Sequence, residues 1–126
     1  MQEFLKSPNW NEKWGMLIEK LMSIDNPYFK LRKYDIDNKS HCYVLAFDGV
    51  SILFHLFTPD EYKKKGYATK LIQKVVQEER GLQESNILLA RTLNDYYVET
   101  MFLNCGFEVI NKYSHRQNVI LMYDLK

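Results

Sequence analysis

The chain has 126 residues, and its 17 Lys and Arg against 16 Asp and Glu give a formal net charge of +1. Hydrophobic residues make up 46% and charged residues 26%, which excludes a disordered, collagen-like or low-complexity chain. This length predicts a single domain over residues 1–126. Because the charge is nearly balanced, nucleic acid is not an expected partner and any anion site must be local.

The sequence carries no pattern for membrane insertion, export or metal binding. No apolar run approaches the roughly 18–20 residues that span a bilayer, and the N-terminus lacks the apolar centre of a signal peptide. Cys42 and Cys105 are isolated cysteines, which do not make a disulfide framework or a zinc site. The three histidines show no ligand spacing. We therefore predict a cytoplasmic protein with no membrane partner and no metal.

Apolar spacing predicts a helix and four strands in the first half of the chain. Residues 2–6 are a candidate strand, and regularly spaced Trp and Leu residues predict an amphipathic helix over residues 9–23. Three more strands follow: Tyr28–Tyr34, His41–Phe47 and Val50–Phe57. Asp48-Gly49 is a hairpin turn between the last two. The nearly continuous apolar run of the last strand predicts a central position, covered on both faces.

Helices alternate with short strands in the second half. A helix is predicted over residues 67–80, ending near Arg80-Gly81, with Glu78 and Glu79 as ordinary surface charges. Ile87–Ala90 is a second central strand. A further helix starts at Asn94 or Asp95, turns Val98, Met101, Phe102 and Cys105 inward, and ends at Gly106. The final strands are Phe107–Ile110 and Asn118–Tyr123.

This element order predicts an α+β (mixed α/β) fold. The strand 50–57, the helix 67–80 and the strand 86–91 form a βαβ unit, so these two strands should be parallel with a right-handed connection. We expect the other strand pairs to be mostly antiparallel.

The junction over residues 57–72 is the sharpest candidate site. A buried strand runs into a basic loop, and Gly66 then opens a helix. Helix starts have unpaired N–H groups and a partial positive charge, and glycine lets the backbone approach an anion closely. This arrangement is typical of phosphate binding. The sequence contains neither the Walker-loop motif nor the glycine motif of a dinucleotide-binding fold. The alternative to a phosphate site is that the lysine run is only a solvated stretch of the surface.

The same residues resemble motif A of the GNAT superfamily of N-acetyltransferases. That motif is usually written Q/R-x-x-G-x-G/A, and here Lys63, Gly66 and Ala68 stand in register, after Pro59 and Tyr62. The segment Phe102–Phe107 is similar to the family's Y-x-x-x-G-F segment. The resemblance implies a twisted mixed sheet of about six to seven strands, helices on both faces, and a central parallel pair that splays apart.

The resemblance also implies acetyl-CoA as cosubstrate. It places the pyrophosphate on the loop and helix start, and the pantetheine arm between the splayed strands. The implied cofactor-binding residues are Phe57, Thr58, Lys63, Lys64, Lys65, Gly66, Tyr67, Ala68, Thr69, Asn94 and Phe102. A backbone N–H near Phe57 or Thr58 would polarise the thioester carbonyl. Asn94 lies farther from Gly106 than the family's asparagine does.

Phe102 departs from the family pattern, because a tyrosine there often protonates the departing CoA thiolate and phenylalanine cannot donate a proton. Tyr97 is an alternative acid on another face of the helix. A thiol pKa near 8.5 makes the thiolate a tolerable leaving group without help. His55 is either a base acting through water or a satisfied core histidine.

The sequence is compatible with two functions. The first is an acyl-CoA-dependent N-acyltransferase that acts on a primary amine of open identity. The second is a weakly active or inactive CoA-binding sensor or interaction module, suggested by the missing tyrosine. A third reading, nucleic-acid binding through the lysine cluster, lacks a supporting aromatic and basic motif. Exposed sheet edges offer a surface for a homodimer.

Overall fold

A computed structural model describes residues 29–93, 96–113 and 118–126. Its strands are β1 (Lys30–Ile36), β2 (Ser40–Phe47), β3 (Val50–Phe57), β4 (Ile87–Leu93), β5 (Glu108–Tyr113) and β6 (Asn118–Asp124). Its helices are α1 (Tyr67–Leu82) and α2 (Tyr96–Asn104), and a short 3-10 turn covers Asp60–Tyr62. The strand and helix predicted over residues 2–6 and 9–23 lie outside the described residues.

The strands form one six-stranded sheet in the order β1-β2-β3-β4-β6-β5. The β3 and β4 strands are parallel and lie at its centre, joined through α1, while the other neighbouring pairs are antiparallel. The predicted mixed fold, with its central parallel pair, is confirmed.

Two tight turns set the register of the first three strands. Asp48 and Gly49 have φ angles of 50° and 81°, the left-handed pair that suits a two-residue hairpin, so that predicted turn is confirmed. Asp37 and Asn38, with φ angles of 51° and 58°, lie in a three-residue turn between Ile36 and Ser40. Because β1 runs up to this turn, it ends at Ile36, two residues beyond the predicted strand.

Both described helices pack on the same face of the sheet. Leu71, Ile72 and Val75 of α1 are fully buried, and Phe102 of α2 is 2% exposed in the same cluster. Val98, Met101 and Cys105 pack against this cluster, as predicted. The core therefore lies between the sheet and the two helices α1 and α2.

The opposite face of the sheet is apolar too. The strand register places Leu45, Ile52, Leu89 and Met122 in one row across it. Ile52 is 37% exposed within this row. The resemblance implies helices on both faces of the sheet, and the helix predicted over residues 9–23 lies outside the described residues.

Two details of α1 differ from the sequence-based prediction. The helix passes through Gly81 to Leu82, and Gln83 takes the left-handed conformation at its end with φ 55°. Glu79 was predicted as a surface charge, but it is only 2% exposed. It follows Val75 by four residues and Ile72 by seven, so helical spacing places it on the buried face.

Candidate functional site

The central parallel pair is hydrogen-bonded along only part of its length. The ladder joins Val50–Leu53 to Ile87–Ala90, although β3 continues to Phe57 and β4 to Leu93. Beyond Leu53 and Ala90 the two strands diverge. The result is a wedge whose walls present strand backbone, which can hydrogen-bond an extended ligand.

A bulge in β3 marks the beginning of this divergence. Tyr43 pairs with Phe54 and His41 pairs with Phe57, so two residues of β3 oppose one residue of β2. His55 lies in the bulge with φ 53°. An extra residue bends its strand and increases the local twist. The sequence contained no signal for it, since His55 occurs within a continuous apolar strand pattern.

The loop after β3 ends in an exposed helix start. Gly66 caps α1 with φ 86°, and Lys64 also has a positive φ of 61°. The first hydrogen bond of the helix runs from the Lys70 N–H to the Gly66 carbonyl at 3.0 Å. The N–H groups of Tyr67, Ala68 and Thr69 therefore have no acceptor within the helix.

The electrostatics of this helix start favour an anion. No acidic residue occupies the first turn of α1, and the helix dipole adds partial positive charge there. A Cβ placed on Gly66 would meet no atom within 4 Å. The space beside Gly66 is therefore open, and an anion can approach the backbone there.

The three loop lysines have different surroundings. Lys63 forms an exposed ion pair with Asp60 at 2.8 Å, and this contact lowers the pKa of the Asp60 carboxyl. The Lys64 ammonium lies 6.0 Å from the centre of the Tyr97 ring. Lys65 is exposed. The structure thus brings Lys64 and Tyr97 together, both of which the sequence singled out.

Ser40 fixes the beginning of the loop. Its buried hydroxyl donates to the Phe57 carbonyl at 3.3 Å and lies 2.8 Å from the Thr58 hydroxyl. Since the Ser40 proton points to Phe57, Thr58 donates to Ser40. Phe57 and Thr58 therefore leave β3 in a fixed orientation beside the wedge. No pattern in the sequence singles out Ser40, because its partners Phe57 and Thr58 lie 17 and 18 positions away along the chain.

His55 belongs to an aromatic group on the face of the sheet opposite α1. Its ring centre lies 5.6 Å from that of His41, 5.8 Å from that of Tyr43 and 6.4 Å from that of Phe57. Burial, and then the charge of a protonated His41, lower the pKa of His55. His55 is therefore neutral at pH 7, the form that can accept a proton.

Phe102 and Tyr97 have opposite environments on α2. The Phe102 ring is buried edge-on against Phe107, with centres 5.0 Å apart. Tyr97 is 71% exposed. The Cys105 thiol lies 3.9 Å from the Thr69 carbonyl, so the end of α2 lies beside the first turn of α1. Asn94 lies outside the described residues, and its role stays a prediction.

Two other features bear on the class of site. Among the described residues, no group of three or more His, Cys, Asp or Glu side chains could hold a metal ion. Neither α1 nor α2 has the length and apolar character needed to cross a bilayer.

Comparison with solved structures identifies the fold. A protein from Desulfovibrio desulfuricans assigned to the GNAT family of acetyltransferases superposes with a TM-score of 0.70 and 16% identity, covering 95% of this chain and 84% of that one. An acetyltransferase from Bacillus subtilis in complex with CoA gives 0.69 and 12% identity, with coverages of 88% and 84%. The Escherichia coli ribosomal-protein-S18-alanine N-acetyltransferase gives 0.66 and 9%, with coverages of 86% and 76%.

No protein-family model and no curated protein matches the sequence. At identities of 9–16% these structures establish the architecture that they share with this chain. The GNAT-type fold predicted from the sequence is confirmed.

Proposed function

We propose that this protein is an acetyl-CoA-dependent N-acetyltransferase that transfers the acetyl group to a primary amine. One observation carries the proposal: the wedge beyond Leu53 and Ala90 opens beside the unpaired N–H groups at the start of α1. A ligand with an amide-bearing arm and a diphosphate matches these two features together. The structure of the Bacillus subtilis acetyltransferase in complex with CoA supports this choice.

The diphosphate end would be held by the helix start. The N–H groups of Tyr67, Ala68 and Thr69 donate to its oxygens, and Gly66 permits close approach. The cofactor-binding residues predicted from the sequence, from Phe57 and Thr58 through Lys63–Thr69, are retained in this proposal. Lys64 and Lys65 add positive charge from the exposed side of the loop.

Amide formation requires a neutral amine nucleophile. Its nitrogen attacks the thioester carbonyl carbon, the C–N bond forms, the C–S bond breaks and the electron pair leaves on sulfur. Neutral His55 can take the amine proton through water, since burial keeps its pKa low. A backbone N–H beside Phe57 or Thr58 stabilises the charge that develops on the carbonyl oxygen.

The leaving thiolate needs no dedicated acid on this scheme. Phe102 is buried in the core and cannot donate a proton. Tyr97, the alternative acid suggested by the sequence, is 71% exposed, which makes water an equivalent proton source. A thiol pKa near 8.5 allows the thiolate to leave at neutral pH.

A CoA-binding sensor or interaction module is the second candidate. The buried Phe102, at the position where the family often has its acid, favours it. The two candidates share the ligand and differ in turnover. The single domain over residues 1–126, the cytoplasmic location and the homodimer stay predictions.

Calorimetric titration with acetyl-CoA tests whether the protein binds this ligand. The same titration of Gly66→Trp tests whether the ligand binds at the start of α1. Micromolar binding that disappears in Gly66→Trp supports the proposal, because the indole would fill the open space beside Gly66. A weaker affinity for 3′-dephospho-CoA would show that a lysine contacts the 3′-phosphate. Release of free CoA with a panel of amines then separates the enzyme from the sensor. If acetyl-CoA produces no heat of binding and no thermal stabilisation, both candidate functions are overturned.

A further inference from the structure

Lys39 lies between two tyrosines at the edge of the candidate site. Its ammonium donates a hydrogen bond to the Tyr67 hydroxyl at 3.1 Å. It also lies 5.0 Å from the centre of the Tyr67 ring and 5.6 Å from that of Tyr62. The two rings meet edge-on, with centres 6.0 Å apart. One cation thus contacts two rings that belong to different parts of the loop and helix start.

Tyr62 and Tyr67 lie at the two ends of the segment that leads into α1. Tyr62 ends the 3-10 turn inside the loop, and Tyr67 is the first residue of α1. Gly66 and the positive-φ Lys64 lie between them. Holding Tyr62 and Tyr67 against one ammonium therefore fixes both ends of the short segment that shapes the helix start.

Ser40, the next residue along the chain, fixes the other end of the loop. Its contacts reach Phe57 and Thr58, where β3 ends. The hairpin between β1 and β2 thus contacts the loop at its beginning through Ser40, and at its middle and end through Lys39. Asp60, Glu61 and Lys63–Lys65, by contrast, have exposed side chains.

We propose that Lys39 is a positioning residue, which holds the loop 59–66 and the first turn of α1 in the arrangement that binds an anion. The identity of that anion as the diphosphate of CoA rests on the function proposed above. Lys39 is half-buried, and its hydrogen bond to Tyr67 raises its pKa, so it remains a cation. A cation is needed because a neutral side chain of similar length forms neither the cation–π contacts nor the charged hydrogen bond.

Three variants separate this role from a general effect of charge. Lys39→Met removes the cation, and Lys39→Arg keeps a cation that can contact both rings. Lys30→Met is the matched control: Lys30 lies on the same hairpin but pairs with Glu84 at 2.7 Å, away from the loop. Amide hydrogen exchange of Tyr62, Lys63 and Lys70 in the free protein reports the loop directly, because these N–H groups are hydrogen-bonded within the loop and at the helix start. The affinity for CoA and the split between KM and kcat report its use.

We expect Lys39→Met to speed exchange in the loop and to weaken CoA binding, each by about tenfold, with a raised KM and little change in kcat. Lys39→Arg and Lys30→Met should behave like the wild type. Wild-type exchange rates in Lys39→Met, or an equal loss of affinity in Lys30→Met, would overturn the proposal.

Hydrogen exchange decides the inference even where the ligand is not CoA. If the wild type fails to bind CoA, the proposed function fails, while faster loop exchange in Lys39→Met still supports the positioning role. Should Lys39→Met fail to fold, Tyr62→Leu removes one of the two rings and tests the same contact. Unchanged loop exchange in Tyr62→Leu would then overturn the inference.

Discussion

Leu53 of β3 and Ala90 of β4 form the last pair of the parallel ladder at the centre of the sheet. Both strands continue past this pair, to Phe57 and to Leu93. A bulge at His55 lies directly beyond it and bends β3. The opening is therefore made by strand backbone, and it lies next to the helix start that follows the same strand.

Hydrogen exchange should detect a ligand arm in this opening. We expect the amides of Phe54–Phe57 and Arg91–Leu93 that face the wedge to gain protection with CoA, because a bound arm would supply new partners. At a CoA concentration 100 times Kd the gain approaches about 100-fold. Amides at Ser51 and Leu88, which lie in the intact ladder, serve as reference. Because a bound ligand also slows global opening and so protects the ladder amides, the contradicting result is a gain at Ser51 and Leu88 with none at the amides that face the wedge.

Gly66 should show separate effects on stability and binding. Gly66→Ala should lower the free energy of unfolding by about 1 kcal/mol, since its φ of 86° is left-handed. Gly66→Asn should be less destabilising, because asparagine tolerates that region. Both should weaken CoA binding, since each adds a Cβ in the space that the anion approaches.

Gly81→Ala is the matched control for this pair. Gly81 is inside α1 with open space around it, so alanine should raise the free energy of unfolding by about 0.5–1 kcal/mol and leave CoA binding unchanged. Full CoA affinity in Gly66→Ala would contradict the placement of the anion. Chemical denaturation and calorimetry measure the two quantities.

Glu79 should make stability fall at acid pH. Its carboxylate accepts two hydrogen bonds from Arg32 at 2.9 Å, one from Ser51 at 2.7 Å and one from Tyr34. Burial acts to raise the pKa of Glu79, but these hydrogen bonds and the Arg32 charge lower it below its ordinary value of 4.5. The stabilisation is therefore complete above that value and is lost as pH falls through the lower pKa of the folded state.

Glu79→Gln should lower the free energy of unfolding by about 2–3 kcal/mol at pH 7 and flatten this acid dependence. The neighbouring Glu78→Gln is the control, because Glu78 is exposed and its loss should change stability by less than about 0.5 kcal/mol. Urea unfolding from pH 3 to pH 7 measures both. If the free energy of unfolding of Glu79→Gln falls as steeply at acid pH as that of the wild type, other carboxyl groups cause the loss.

His55 should set the acid limb of the rate profile. Its pKa is lowered from 6.5 by burial and by protonated His41, so we expect the fall in kcat/KM that His55 causes to lie below pH 6.5. His55→Gln should remove this limb, with a loss of about 10²–10⁴-fold at neutral pH for a base acting through water. His41→Gln should move the limb upward, because it removes a neighbouring positive charge. If kcat/KM of His55→Gln still falls at the same acid pH, the general base is another residue.

Tyr97→Phe should lower kcat by less than about tenfold. Tyr97 is 71% exposed and lies over the Lys64 ammonium, and the thiolate can leave without a protein acid. The measurement is kcat with a saturating amine, with thiol release followed directly. A loss of 10²–10⁴-fold would instead identify Tyr97 as the general acid.

Local patterns in the sequence determined much of the fold. The apolar face of α1, the Asp48-Gly49 turn and the βαβ unit each depend on residues close together in the chain, so spacing alone predicted them. The loop that ends at Gly66 was also readable, because a strand, a basic loop and a glycine at a helix start follow one another directly.

Contacts between distant segments were decided only by the tertiary structure. The bulge at His55 depends on how β2 pairs with β3, and the burial of Glu79 depends on Arg32 from a distant strand. Lys39 reaches Tyr67 across 28 positions of the chain. A sequence pattern records which side chains share a face of one element. It does not record which cation or carboxylate another element brings to that face, since this depends on the packing of the whole sheet against its helices.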